Sequence, residues 1–564
     1  MKRWIGIGWV VLSLLAACRD KEGESPVIVL DEASARYRVN AGEELVIAPG
    51  YEHVTPATTY EWERSGEVVC RELAYTFCDS VEGEYFLMLR VANEYGKAEE
   101  ELKVTVLPSR APRISLYVPE GGFQVLQGRK LVLSPTVKNG EGATLAWNVD
   151  GQPVSVEREL VYEGTELGDH CFRFQAVSGE GEDAVEFKVR VCTPEEMPFA
   201  WRFPQTEFHL SQGRAVKVKA YLLENAFDAV YTWTLDGRVV ATGEQTEYVF
   251  HGKEQGTHTL VLTMKNEFEE VEQAFTMEVC PPEGTYRRAV TAASQAMVNK
   301  VYEYMPAPGL LVNGYMYGFT LPETTDMQSA CDTVMARWKK RWYVSLGAWG
   351  GYVIAGFDHS VENSGGDYDL AICGNPIASQ SEPGVIWVSQ DENGDGLPND
   401  TWYELKGSDY GTERAEQEYA VTYYKPARPQ SDVRWTDSRG KSGIVPHMAY
   451  WNPSESYYQP WVPGDSFTYY GSRLDDRISY EGGMSSLLPS AWGYTDNLGE
   501  DYFEGKAGMA GHFKIANAVT FDGKPANLQY IDFVKIQTAQ VGYAPNLGEV
   551  STEVHYISDY HLEK

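Results

Sequence analysis

The chain predicts a mainly β protein: three tandem β-sandwiches, then a larger jelly-roll-like β-sandwich domain with a few covering helices. Three observations carry this. A pattern of tryptophan, turn and glycine returns with a period of roughly eighty-five residues over the first half of the chain. Short apolar-polar alternations separated by Gly, Pro and Asp-Gly punctuation dominate throughout. The repeat stops near Glu283, and a glycine- and aromatic-rich, helix-poor texture runs to the end.

At the N-terminus, Lys2 and Arg3 precede an apolar run from Trp4 to Leu15, followed by Leu15-Ala16-Ala17-Cys18. This resembles a bacterial lipoprotein signal, because the apolar run is too short for an ordinary span and ends in a small-residue cleavage box. Residues 1–17 are therefore expected to be removed, leaving Cys18 as the lipidated first residue, with 18–25 as a tether. The charged run Arg19 to Glu24 resembles the export tag of Bacteroidota surface lipoproteins. The expectation is an outer-membrane protein, lipid-anchored and facing the exterior.

The repeats divide into 26–108, 109–194 and 195–282. Each carries a tryptophan on an alternating run, Trp62, Trp147 and Trp233. The second and third continue into Asp150-Gly151 and Asp236-Gly237 turns, the first into Ser65-Gly66. Gly83, Gly168 and Gly256 then precede another strand in each. A buried tryptophan on a central strand among short strands and close turns is what an immunoglobulin-like sandwich requires. The three units resemble PKD-like extracellular modules, which implies a spacer role.

Residues 284–564 form the expected ligand-binding domain. An apolar stripe from Arg287 to Tyr304 predicts one helix, and Pro322 to Lys340 another. Strands are expected at Tyr352 to Phe357, Tyr368 to Cys373, Val385 to Ser389, Trp402 to Leu405, Ala420 to Tyr424, Phe513 to Phe521 and Ile531 to Thr538. Seven cysteines follow Cys18, and in an oxidising compartment Cys70 with Cys78 and Cys171 with Cys192 are the nearest pairs in sequence. The odd number leaves at least one unpaired, and no CxxC framework points to structural zinc.

Between Val385-Ile386-Trp387-Val388 and Trp402-Tyr403-Glu404-Leu405 lies a loop with side-chain oxygens at Asp391, Asn393, Asp395 and Asn399 around Gly396. Calcium takes six to eight oxygens, and alternate residues of a tight glycine-containing loop supply them. The twelfth position is Trp402 rather than Glu, so this is no EF-hand. It reads as a Ca2+-stapled β-loop-β corner, with Leu397 as a backbone ligand and Asp400 or Glu404 completing the shell. An acidic turn without an ion is the alternative.

Forty-eight basic against 81 acidic residues give a net charge of −33, which excludes nucleic acid as a partner in the absence of a basic patch. HExxH, GxSxG, phosphate-loop and dinucleotide signatures are absent from the sequence, which favours binding over catalysis. Nine of the fifteen tryptophans fall after residue 284, and aromatics crowd the span 448–494. Tyr450, Trp451, Tyr457, Tyr458, Trp461, Tyr470, Trp492 and Tyr494 there are candidate ligand-binding residues, since aromatic rings in long loops suit a large, flat, polar-edged ligand. The competing reading is that they fill the sandwich core.

Three runs carry a further resemblance: GGYVIAGFDHSVENSGGDYDLAICGN, EPGVIWVSQDENGDGLPNDTWYELKGSDY and IDFVKIQTAQVGYAPNLGEVSTEVHYI. Together with the lipobox and the repeats, they resemble a Bacteroidota family of PKD-like surface lipoproteins, closest to the vitamin B12-capturing, BtuH-like group. The resemblance implies a non-enzymatic protein that binds cobalamin and hands it to a TonB-dependent outer-membrane transporter. A surface glycan-binding protein, or a calcium-dependent polysaccharide-active enzyme, stays open as an alternative.

Overall fold

A computed structural model describes residues 24–30, 35–108, 110–116, 118–119, 121–312, 326–426, 431–447, 456–481, 484–506, 508–544 and 547–563. The signal segment 1–17 and Cys18 lie outside the described residues, as do Tyr450 and Trp451. The protein is mainly β, with tandem Ig/PKD-like domains.

The three repeats share one topology. In the first, a five-stranded sheet runs Arg36–Asn40, Gly96–Leu107, Gly83–Asn93, Thr59–Arg64, Glu67–Cys70. The second and third repeat this order around Gly181–Cys192 and Glu270–Cys280. In every case the first strand of the sheet pairs parallel with the last strand of the domain, and the other neighbours are antiparallel. Two two-stranded sheets accompany each, in the second repeat Arg113–Ser115 with Thr136–Lys138 and Lys130–Leu133 with Leu160–Glu163.

Alternation explains the packing. Gly168–Ser178 buries Phe172, Phe174 and Ala176 while the residues between face outward. Trp62, Trp147 and Trp233 are at most 1% exposed, and each indole Nε1 donates to a backbone carbonyl ten or twelve residues on, at 3.0, 3.1 and 3.2 Å. A tryptophan can be wholly buried because its one donor is satisfied. The Asp150-Gly151 and Asp236-Gly237 hairpins have positive φ at both residues, the twist-matched two-residue turn. Each Asp carboxylate also accepts from the next strand's backbone, Asp150 from Cys171 and Asp236 from Thr259.

The C-terminal domain holds the largest core. Its six-stranded antiparallel sheet runs Lys300–Met305, Tyr352–Glu362, Tyr530–Thr538, Gly384–Ser389, Trp402–Leu405, Ala518–Val519. Two four-stranded and three two-stranded sheets accompany it among the described residues, one of the larger running Tyr502–Gly505, Gly508–Phe513, Leu370–Cys373, Tyr556–Asp559. The other runs Ser442–Val445, Val433–Asp437, Ala415–Tyr424, Ser466–Leu474.

Several expectations need correction here. The stripe from Arg287 to Tyr304 is not a helix; Lys300–Met305 is an edge strand with a bulge between Val301 and Glu303. A few apolar residues at helical spacing also fit a bulged strand, and pairing with Tyr352–Glu362 decides between them. The second expected helix is present as Met327–Lys339, capped by Asp326, whose side chain accepts from Ser329 N at 2.8 Å. Among the described residues it is the one α-helix, rather than a few, and it buries Ala330, Val334 and Trp338 on one stripe. The expected strand Phe513 to Phe521 is broken by a 3-10 turn at Ile515–Asn517. All seven cysteines after Cys18 are free thiols. Cys171 sits opposite Lys188, so Cys192 lies four residues out of register for a cross-strand bridge. Among the described residues, no helix is long and apolar enough to cross a membrane.

Candidate cation loop and junctional cleft

The loop at 391–400 turns its carboxylates inward. Asp391 accepts from Gly394 N at 2.9 Å and Gly396 N at 3.1 Å, and Asn393 Oδ1 accepts from Asp395 N at 2.9 Å. Asp395 Oδ1 accepts from Leu397 N at 2.7 Å, and its Oδ2 from the amides of Asn393 and Asn399 at 3.0 and 2.9 Å. Gly394 and Gly396 have φ of 79° and 74°, the left-handed conformation that lets so tight a coil close.

Asp400 is 1% exposed, and neither carboxylate oxygen has a hydrogen-bond partner. Burial, then the neighbouring Glu392, Asp391 and Asp395 charges, push its carboxyl up to about 9. Burial also raises Asp391. A buried carboxyl with no donor, facing other acids, is a poor native feature by itself. Asp391, Asn393, Asp395 and Asp400 are the oxygen donors that a hard divalent cation would draw together here; as they stand, the first three accept from the loop's own N–H groups, and the three carboxylates do not converge within 4.8 Å as those of Glu382, Asp496 and Glu553 do. Leu397 is exposed and holds the loop through its N–H. Glu404 turns elsewhere, accepting from Ser472 Oγ at 2.5 Å, and burial lifts it to about 7.

The loop is also where the third repeat meets the C-terminal domain. Glu392 accepts from Ser211 N at 2.9 Å and Thr401 N at 3.3 Å, while Thr401 Oγ1 donates to His209 O at 2.9 Å. Both partners lie on Glu207–Ser211, an edge strand whose open backbone groups the loop thereby caps. Around it, Arg214 pairs with Glu283 at 2.7 Å, Lys217 and Lys219 with Glu418, and Tyr221 packs edge-on to Tyr470 at 4.9 Å. A cleft opens at this junction, lined from the third repeat by Phe203, Lys217 and Tyr221 and from the C-terminal domain by Trp402, Tyr403 and Phe521. Glu392 and these cleft residues were not singled out in the sequence, because their partners lie far away along the chain.

The candidate aromatics do not form one wall. Tyr457, Tyr458 and Trp461 belong to the main core, where Trp461 Nε1 donates to Tyr304 O at 2.8 Å. Tyr494 is 1% exposed in a smaller cluster, and its hydroxyl accepts from Asp409 N. Tyr470 faces the third repeat, and Trp492 is half-buried. His359 is fully buried, with Nδ1 2.6 Å from Asp358 and Nε2 2.9 Å from Asp559, a satisfied core histidine.

A second acidic cluster joins residues distant in sequence, Glu382, Asp496 and Glu553, with carboxylate oxygens within 4.8 Å of one another. Burial, above all, raises all three, Asp496 to about 7.

Residues 25–93 and 111–178 match the PKD-like domain family. No curated protein matches the chain. Among solved structures, the Sidekick-1 immunoglobulin domains 1–5 align at 15% identity over 46% of this chain and 60% of theirs, with TM-score 0.21. The fibronectin(III)-like modules of Clostridium thermocellum CbhA align at 17% identity, covering 30% and 96%, with TM-score 0.16. An I-band fragment of titin aligns at 13% identity, covering 45% and 99%, with TM-score 0.15. The chain thus spans only 60% of the Sidekick-1 fragment, and these low scores carry no functional argument.

Proposed function

We propose that this chain is a non-catalytic, surface-exposed outer-membrane lipoprotein that binds cobalamin or a related corrinoid and passes it to a TonB-dependent transporter. Anchoring through Cys18 and outward display follow from the signal-like N-terminus. The corrinoid class follows from the three runs that resemble the vitamin B12-capturing group. The structural observation that supports binding is an aromatic-walled cleft beside an acidic loop, at a junction tied by hydrogen bonds and ion pairs. Ca2+ held by Asp391, Asn393, Asp395 and Asp400 would act as a staple, fixing the hairpin that carries Trp402 and Tyr403.

The experiment uses the mature chain from Cys18, with that cysteine replaced by serine to prevent lipidation. It is mixed with cyanocobalamin and passed over a size-exclusion column while corrin absorbance is read. Colour travelling with the protein is the expected result. A colourless protein peak discards the corrinoid class and sends the search to a glycan array and a polysaccharide turnover assay.

A further inference from the structure

The junctional cleft has a volume of about 180 Å3 and is built from two domains. Phe203 and Tyr221 face it from the third repeat, Trp402 and Phe521 from the C-terminal domain. Phe521 is 40% exposed, a large apolar ring left to solvent beside the Lys217 ammonium, 5.9 Å from its centre. Tyr403 also lines the cleft; it is 2% exposed, yet its hydroxyl has no hydrogen-bond partner. That hydroxyl is enclosed in the domain interior beside Arg214, Glu283 and Glu392, so Tyr403 meets the cleft without offering it a polar atom.

The charged edge is held under strain. Lys217 and Lys219 converge on Glu418, which has φ of 64° where the strand register slips between Glu416 and Tyr419. A non-glycine residue in the left-handed region persists only where its surroundings enforce it, and such residues gather at binding sites.

We propose that this cleft seats the ligand and that the third repeat supplies half of the binding site. The inference rests on the corrinoid reading above and adds its location and its two-domain character. The volume is below that of a pocket enclosing a whole drug-sized molecule, about 300–1,000 Å3. The cleft therefore grips one edge of the macrocycle: a ring edge lies between the aromatic faces, and carboxamide arms meet the lysine ammoniums. The rest of the ligand stays outside, available to a second protein.

The test is titration calorimetry of cyanocobalamin into the mature chain and into Phe521→Ala and Gln205→Trp. Both positions are exposed, Gln205 lines the third-repeat side, and melting temperatures check the fold. Loss of about tenfold in affinity in each variant, with unchanged melting, is the expected result. If the parent binds and both variants match it, the cleft assignment is overturned while the corrinoid reading stands. If the parent gives neither heat nor co-eluting colour, the corrinoid reading fails and the seat fails with it.

Discussion

Asp400 has neither a donor nor a basic group within hydrogen-bonding distance; His209 Nδ1, at 4.0 Å, is the nearest cationic candidate. Without metal its carboxyl holds a proton at neutral pH, because burial and the surrounding acids raise it to about 9. A divalent ion reverses that balance. The parent chain should therefore melt about 5–10 °C higher in excess Ca2+ than in chelator, the size expected when ligand far exceeds its dissociation constant. Asp400→Asn should melt no lower than the parent in chelator and gain nothing from Ca2+, as read by differential scanning fluorimetry. Equal Ca2+ gains in both proteins would show that Asp400 is not a ligand. That Asp391, Asn393 and Asp395 share one tight loop was legible because they are near neighbours in sequence. Glu392 was not, since its partner Ser211 is 181 residues away. The aromatics of 448–494 were legible as a composition, but burial is set by packing, and it drew Tyr457, Trp461 and Tyr494 inward.

At the scale of elements, the repeat was readable because each unit needs the same parts: a central tryptophan, a tight hairpin and alternating long strands. Those are local signals, and the register follows from them. Trp147→Ala should remove about 3–5 kcal/mol from the second domain, enough to consume much of a small domain's stability. Calorimetry should then show one early transition, with the C-terminal domain's melting unmoved. A single transition lowered as a whole would mean that the domains do not unfold separately, and no displacement at all would mean that Trp147 does not carry the second domain's core. Lys300–Met305 was harder to read, because six residues cannot distinguish a helical stripe from a bulged edge strand when the pairing partner begins at Tyr352. The helix Met327–Lys339 was legible from a longer periodic run ending in basic residues.

Across the whole molecule, polar bonds join consecutive domains: Arg38 with Asp183 at 2.6 Å, Arg129 with Asp228 at 2.7 Å, and the Glu392 and Glu418 contacts of the last junction. The last is the most buried, with Glu392 3% exposed. Replacing Glu392 and Glu418 by Ala together leaves the Ser211 and Thr401 N–H groups and Lys219 without acceptors, at about 1–3 kcal/mol for each buried group. The third and C-terminal domains should then melt separately, and limited proteolysis should cut near Pro281 to Glu283. A double variant that melts and resists protease like the parent would show that this junction does not couple the domains. None of these long-range partners was legible, because charge complementarity across folded surfaces leaves no spacing in the sequence.

The parallel pairing of each domain's first sheet strand with its last bears on how the chain carries load. Tension applied between the two ends of the first domain reaches Arg36–Asn40, beyond the short strand Val27–Val29, and leaves along Gly96–Leu107, and these two strands run side by side in the same direction. Pulling their outer ends apart slides one strand past the other, so the ladder's hydrogen bonds share the force and yield together rather than one at a time. The same parallel pairing recurs in all three repeats, so each would meet extension in shear.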